Sequence, residues 1–175
     1  MKRLLWLLVL SFALSACAAE PSAQDLVGAG GSTPNDVVEN FLEDLNQALR
    51  DPSLADQGAR RAWAERLASH FAPSERSDQR LVMGEMLAGF AASAVNPAVG
   101  SRATLELSFS GTEVIRQGEG RALVRVVDGL LTLNFLDAEG MILRTRTAGL
   151  TDVIGQTSGG LPTIQVGRGW FLTEG

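Results

Sequence analysis

The chain has 175 residues, of which 45% are hydrophobic and 20% are charged, and its formal net charge is −5. This length suits one domain of ordinary size, and the acidic balance argues against nucleic acid, whose binding requires a basic surface. The sequence contains one Cys, one His and no Tyr, and its only Lys is Lys2. An intrachain disulfide is therefore excluded, a tyrosine acid is excluded, and a lysine, cysteine or histidine could act in catalysis at one position each.

The first residues have the layout of an export signal. Lys2 and Arg3 form a positively charged start, and residues 4–14 are almost wholly apolar. This run is about half of the roughly 20 residues that a membrane-spanning helix needs. Small residues then precede Cys17. The pattern favours a cleavable signal peptide over residues 1–16.

Residues 14–17, Leu-Ser-Ala-Cys, resemble the lipobox of bacterial lipoproteins. The resemblance implies that the chain is cut before Cys17 and that this cysteine carries the lipid. Two or three acyl chains hold a protein stably at a membrane, whereas one chain holds it only marginally. We therefore expect an extracytoplasmic protein anchored to the cell membrane or to an outer membrane. The alternatives are ordinary secretion and an uncleaved N-terminal anchor.

Residues 17–32 are rich in small residues and predict a flexible tether, and residues 33–175 predict a single domain. Thr33 and Pro34 suit the cap and the first position of a helix that ends before Pro52. Apolar periodicity predicts two more helices, over about residues 60–71 and 78–94. The expected buried faces carry Val37, Phe41, Leu45 and Leu49 in the first helix, Trp63, Leu67 and Phe71 in the second, and Val82, Met86 and Phe90 in the third.

Beyond residue 100 the apolar period changes to two, which predicts half-buried strands. The expected apolar faces carry Leu105, Leu107 and Phe109, then Ala122, Val124 and Val126, then Leu131, Leu133 and Phe135. The apolar face changes parity at Asp128 and Gly129, which predicts a β-bulge that bends the strand. Further strands are predicted over residues 141–147, 163–166 and 170–172. Helices followed by an antiparallel sheet predict an α+β fold.

Residues 33–38, Thr-Pro-Asn-Asp-Val-Val, and residues 167–170, Gly-Arg-Gly-Trp, resemble the two ends of small lipoproteins in the nuclear transport factor two-like superfamily. That superfamily shares a cone-shaped fold with ketosteroid isomerases. The resemblance implies three N-terminal helices packed on a curved antiparallel sheet. The alternative is another α+β sandwich whose helices cover one face of a sheet.

Candidate catalytic residues are few. His70 is the only histidine, and we expect it to be a partly exposed residue at the C-terminal end of the second helix. The acids Asp44, Glu65 and Glu106 fall among polar neighbours and predict surface positions. Glu85 lies within an apolar run and is the best carboxylate candidate for a pocket. A single histidine and dispersed acids favour neither a metal site nor a cofactor.

Two pairs of arginines each share one strand face: Arg121 with Arg125, and Arg144 with Arg146. Such pairs can hold a carboxylate or a phosphate, although the simpler interpretation is a solvated face of the sheet. The Gly-rich stretch over residues 155–160 lacks the lysine of a phosphate-binding loop.

The sequence predicts a non-catalytic module that binds an envelope protein or a small apolar ligand. The expected pocket lies between the helices and the sheet and is formed by Trp63, Glu85, Phe90, Leu105, Leu107 and Phe109. The resemblance implies one alternative, an enzyme of the ketosteroid isomerase or dehydratase type with His70 or Glu85 as base. Such enzymes often hold the oxyanion with Tyr, which this chain lacks. Another alternative is a structural envelope protein.

Replacing Cys17 by Ser removes the thiol to which the lipid would be attached. We expect the Cys17→Ser variant to keep its signal peptide and to carry no lipid. Mass spectrometry of the wild-type and variant proteins from the membrane fraction tests this, and an unmodified Cys17 in the wild-type protein would contradict it.

Overall fold

The computed structural model describes residues 30–96, 101–150 and 159–174. Cys17 and the rest of residues 1–29 lie outside these ranges. Within them, three helices come first: α1 (Pro34–Arg50), α2 (Gln57–Ala68) and α3 (Arg76–Ala94), with a 3₁₀ helix (Pro52–Ala55) between the first two. The strands follow as β1 (Val95–Asn96), β2 (Ser101–Ser108), β3 (Gly111–Gly118), β4 (Arg121–Val127), β5 (Leu130–Leu136), β6 (Ile142–Gly149), β7 (Leu161–Val166) and β8 (Gly169–Leu172).

The α+β class predicted from the sequence is confirmed. The strands form two four-stranded antiparallel sheets, in the orders β1-β2-β5-β6 and β3-β4-β7-β8. The pairing of β2 with β5 ends at Ser108–Leu130, and that of β3 with β4 begins at Gly111–Val127. Between them the Ser110 amide donates to the Val127 carbonyl at 3.0 Å. The two sheets are therefore successive arms of one long antiparallel ladder.

The prediction of a β-bulge at Asp128 and Gly129 is wrong. The chain leaves one sheet and enters the other at this point, because β4 ends at Val127 and β5 begins at Leu130. Asp128 has a positive φ of 51°. A Cβ on Gly129 would lie 2.9 Å from the Leu150 Cβ, so glycine permits the close approach in which the Leu150 amide donates to the Gly129 carbonyl at 2.8 Å. The parity change thus marks a change of sheet.

Helix α1 begins as predicted and forms the centre of the core. The Thr33 hydroxyl accepts from the Asp36 amide at 3.2 Å, and the Asp36 carboxylate accepts from the Thr33 amide at 2.9 Å. This reciprocal cap satisfies two amides that would otherwise lack partners. The apolar face of α1 contacts β2 of one sheet and β3, β4, β7 and β8 of the other. Its buried hydrophobic side chains include Val37, Val38, Phe41, Leu42, Ala48 and Leu49.

The predicted buried face of α3 is confirmed at Phe90, which packs against the core, and is wrong at Val82 and Met86. Val82 and Met86 are exposed, whereas Leu87 is buried and Met83 and Ala91 pack against the core. Apolar residues occur on several sides of this helix, so periodicity alone does not select the side that faces the core. Among the described residues, no helix has both the length and the apolar character needed to cross a membrane.

Gly30 to Ser32, which the sequence places in the tether, belong to the domain. The Gly31 amide donates to the Trp170 carbonyl and the Trp170 amide donates to the Gly31 carbonyl, both at 2.9 Å. A Cβ on Gly31 would collide with the backbone of Val37 and would lie 2.9 Å from the Thr33 carbonyl oxygen. The start of α1 is therefore packed against β8 at a position that only glycine fits without a shift.

Replacing Gly31 by Ala should destabilise the protein, because the added methyl group meets backbone atoms that cannot move alone. We expect the free energy of unfolding to fall by about 1–3 kcal/mol. The control is Gly111→Ala, since a Cβ on Gly111 has no atom within 4 Å. Thermal unfolding of the full-length proteins, followed by circular dichroism, should show a lower midpoint for Gly31→Ala alone. Equal midpoints would refute the packing described here.

Candidate functional site

A pocket of about 370 Å³ lies where the C-terminal ends of α1 and α3 meet the start of β2. We call it the helix–sheet pocket. Its apolar lining comes from Leu49, Leu54, Phe90, Ala91, Ala94, Ala103 and Leu136, and its polar lining includes Arg50, Asp51, Arg102 and Thr104. Small-molecule sites in proteins usually have about 300–1,000 Å³ and a mainly apolar lining with a few polar groups. The pocket meets both criteria.

Asp51 fixes the shape of this pocket at the end of α1. Its Oδ1 accepts from the amide of Ser53 at 2.8 Å and so starts the 3₁₀ helix that buries Leu54. Its Oδ2 accepts from the Trp63 indole at 2.6 Å. The hydrogen bonds from Ser53 and Trp63 hold the pKa of Asp51 below its ordinary value. Both carboxylate oxygens are engaged, so Asp51 ties the end of α1 to α2.

Two guanidinium groups stand at the edge of the pocket. Among the described residues, the acidic partner of Arg50 is Glu106, at a long 3.9 Å between Nη1 and Oε1, and both side chains are exposed. An exposed pair of this kind contributes little to stability. Arg102 is exposed and has no acidic partner within the described part of the chain. The pocket thus combines an apolar floor with positive charge at its rim.

A second candidate site joins α1 to α2, and we call it the Asp44 cluster (Asp44, Arg66 and His70). Asp44 is only 7% exposed and His70 only 9%. The distance from His70 Nε2 to Asp44 Oδ2 is 2.9 Å, and Arg66 binds the same carboxylate twice, with Nη2 2.6 Å from Oδ1 and Nε 2.8 Å from Oδ2. Beside the cluster is a polar cavity of about 400 Å³, lined by Asn40, Glu43, Gln47 and Ser69 among others.

The predicted positions of His70 and Asp44 are both wrong. His70 is buried rather than a partly exposed end residue, and Asp44 is buried rather than on the surface. The two residues are 26 positions apart, so no local pattern joins them. The burial of Asp44 could have been predicted from helical spacing. Asp44 lies three residues after Phe41 and four before Ala48, so it shares the buried side of α1.

Opposing effects determine the charge state of Asp44. Burial raises the pKa of its carboxyl, but the hydrogen bonds from Arg66 and His70 outweigh burial and hold the pKa below its ordinary value. The bond to Asp44 in turn raises the pKa of Arg66. Asp44 is therefore ionised at neutral pH, and the ion pair connects α1 to α2.

The Asp44 cluster has the form of an ion pair rather than of a catalytic dyad. In a dyad the carboxylate orients the histidine, whereas Asp44 also accepts two hydrogen bonds from Arg66. The His70 carbonyl accepts from the Leu172 amide at 2.9 Å, which fixes this segment to β8. The ring also packs edge-on against Phe41, at 6.0 Å between centroids. These contacts assign the cluster to the packing of α1 on α2 and β8.

The six residues predicted to form one pocket do not line one cavity, although all but Glu85 belong to the hydrophobic core or pack against it. Phe90 lines the helix–sheet pocket, whereas Leu107 is in the core, with Leu105 and Phe109 packed against it. Trp63 lines a different, more open cavity, which Asp51 also borders. Glu85 is exposed on α3 and lines a surface cavity between α2 and α3.

The remaining charged candidates lie on the surface. Arg125 pairs with Glu113 at 2.6 Å and Arg80 pairs with Glu65 at 3.2 Å, and all four side chains are about half exposed or more. Within residues 30–96, 101–150 and 159–174, no group of three His, Cys, Asp or Glu residues could hold a metal ion. The Gly-rich stretch lies mostly outside these residues.

The chain matches no protein-family model, no curated protein and no solved structure. The resemblance to the nuclear transport factor two-like superfamily therefore stays a prediction, and the geometry of the two sites is the basis for inferring function.

Replacing Asp44 by Asn keeps the shape of the side chain and removes its charge. We expect the free energy of unfolding to fall by about 1–3 kcal/mol at neutral pH, because Arg66 and His70 lose a charged partner. The pKa of Asp44 is lower in the folded than in the unfolded chain, where it is about 3.9. The stabilisation that the ionised Asp44 carboxylate contributes is therefore complete above about pH 3.9, and it is lost as the pH falls through the pKa of the folded state.

Urea unfolding of wild type and Asp44→Asn across a pH series measures this contribution. The difference in the free energy of unfolding should narrow below about pH 4. The control is Glu65→Gln, which breaks an exposed ion pair and should change stability little. A difference that stays constant down to the lowest pH would show that the charge of Asp44 is not what stabilises this interface.

Proposed function

We propose that this protein is a lipid-anchored, extracytoplasmic module that binds a small apolar ligand in the helix–sheet pocket and does not catalyse a reaction. The observation that carries the proposal is the apolar floor of this pocket, set between the helices and the sheet, with Arg50 and Arg102 at its rim. The resemblance of residues 14–17 to a lipobox supports the anchor on Cys17. The anchor would hold the module at the cell membrane or an outer membrane.

The lining of the helix–sheet pocket favours a ligand with an apolar body and a small polar end. Leu49 and Leu54 are buried in the core and Phe90 packs against it, so the floor is built from parts of the fold that need no ligand to form. Each Å² of apolar surface that a ligand removes from water contributes about 25 cal/mol. Two guanidinium groups at the rim favour a ligand whose polar end is neutral or anionic. An apolar body with a small polar end fits this arrangement.

The enzyme alternative requires an acid or base that faces the bound substrate. Asp51 is the one carboxylate among the described lining residues of the helix–sheet pocket, and its oxygens already accept from Ser53 and Trp63. His70 belongs to the Asp44 cluster and lines a different cavity. Glu85 lines a separate surface cavity between α2 and α3. Binding without chemistry is therefore the function that this geometry supports best.

Filling the pocket should weaken binding without unfolding the protein. Ala94 lines the pocket, so we expect Ala94→Trp to place an indole where the ligand would lie. The control is Ala92→Trp, at an exposed position of the same helix outside the pocket lining. The probe is the uncharged fluorescent compound 1-N-phenylnaphthylamine, titrated into each full-length protein.

We expect the probe to bind wild type and Ala92→Trp alike and to bind Ala94→Trp at least about tenfold more weakly, a difference of about 1.4 kcal/mol. Thermal midpoints show whether each variant is folded. Equal affinity for Ala94→Trp, or no enhancement of fluorescence with wild type, would contradict the proposal.

A further inference from the structure

Three large apolar side chains at the start of the outer strand β6, one just before it and two within it, are open to solvent. Met141 is 68% exposed, Ile142 60% and Leu143 66%. β6 is the last strand in the order β1-β2-β5-β6, and its outer edge has no partner strand among the described residues. An open strand edge presents unpaired backbone groups and invites another strand, and an exposed apolar patch beside such an edge is typical of an interaction site.

Arg144 and Arg146 make one face of β6 positively charged, whereas the other face is neutral. In the ladder with β5, Arg144 lies opposite Phe135 and Arg146 lies opposite Leu133. Both arginines are exposed, and neither has an acidic partner in the described part of the chain. One face of the edge is therefore cationic, next to half-buried apolar residues.

The other face of β6 is neutral. Thr145 and Thr147 alternate with the arginines along the strand, and the Thr145 hydroxyl donates to the Asn134 side chain at 2.8 Å. Side chains of a strand alternate between the two faces of its sheet. A strand added next to residues 144–147 of β6 would therefore meet positive charge on one face and neutral hydroxyl groups on the other.

We propose that β6 is a docking strand for an extended segment of a partner protein that carries an acidic side chain at every second position. Addition of a strand to an open sheet edge supplies backbone hydrogen bonds, and alternate side chains supply specificity. Acidic side chains two positions apart would pair across the strands with Arg144 and Arg146. The site lies apart from the helix–sheet pocket and binds a protein, so it goes beyond the function proposed above.

Charge argues against two other occupants. In a second copy paired antiparallel about Thr145, arginines of the two strands would lie close together, and like charges on neighbouring strands repel. An anionic membrane would meet Asp137 and Glu139 in the turn before Met141, and lipid offers no backbone groups to the strand edge. The whole chain is acidic, but repulsion of an acidic segment by distant charges is screened beyond about 8 Å at physiological salt.

The test uses the full-length protein and a short dye-labelled peptide that alternates Glu and Thr, with both ends blocked. A peptide that alternates Lys and Thr is the charge control. The variant Arg144→Glu with Arg146→Glu reverses the cationic face. Its matched control is Arg61→Glu with Arg168→Glu, which makes the same change in net charge at two exposed positions outside β6. Fluorescence anisotropy measures binding, and thermal midpoints show that each variant is folded.

We expect wild type and the Arg61/Arg168 control to bind the Glu–Thr peptide with similar affinity and not to bind the Lys–Thr peptide. The Arg144/Arg146 reversal should weaken binding by about tenfold or more, and Arg144→Gln with Arg146→Gln should give an intermediate affinity. The proposal would be overturned if the Arg144/Arg146 reversal and the Arg61/Arg168 control bound the Glu–Thr peptide with equal affinity, or if wild type bound the two peptides equally. It would also be overturned by binding to phosphatidylglycerol vesicles without binding to the Glu–Thr peptide, or by self-association that the Arg144/Arg146 reversal abolishes.

Discussion

The burial of α1 between the two arms of the sheet is the interaction on which the rest of the structure depends. This one helix contacts strands of both sheets, and Val37, Val38 and Leu42 on its apolar face are almost completely buried. Its flank presents Asp44 to α2, and its C-terminal end forms one wall of the helix–sheet pocket. Because the same helix closes the core and shapes the pocket, a change that shifts α1 would alter stability and binding together.

The sequence predicts what is local and misses what depends on packing. The start of α1 follows from Thr33 and Asp36, whose spacing is that of a reciprocal cap, and its core face follows from strong periodicity. The core face of α3 does not follow, since Val82 and Met86 are as apolar as Met83 and Leu87. The Asp44–His70 contact joins residues far apart in the chain, and the change of sheet at Asp128 depends on which strands pair. Of the six predicted pocket residues, Phe90 alone lines the helix–sheet pocket.

The two proposed binding surfaces use different parts of one sheet. The helix–sheet pocket lies against the start of β2, and the docking edge is the outer strand β6. β5 lies between them: Leu136 lines the pocket, and the neighbouring Phe135 is opposite Arg144. Under the proposed function, a module with these two surfaces would take up a small ligand and present itself to a partner. Neither surface requires a catalytic group.

Hydrogen exchange of the full-length protein, with and without saturating 1-N-phenylnaphthylamine, tests the central claim most directly. The bound probe should slow exchange of backbone amides that surround the helix–sheet pocket, in residues 49–55, 90–94 and 102–104. Amides beside the Asp44 cluster, in residues 66–72, should exchange at an unchanged rate, because that cluster is an ion pair within the fold. Protection around residues 66–72 with none around the helix–sheet pocket would contradict the account and would point to the cavity beside His70 as the binding site.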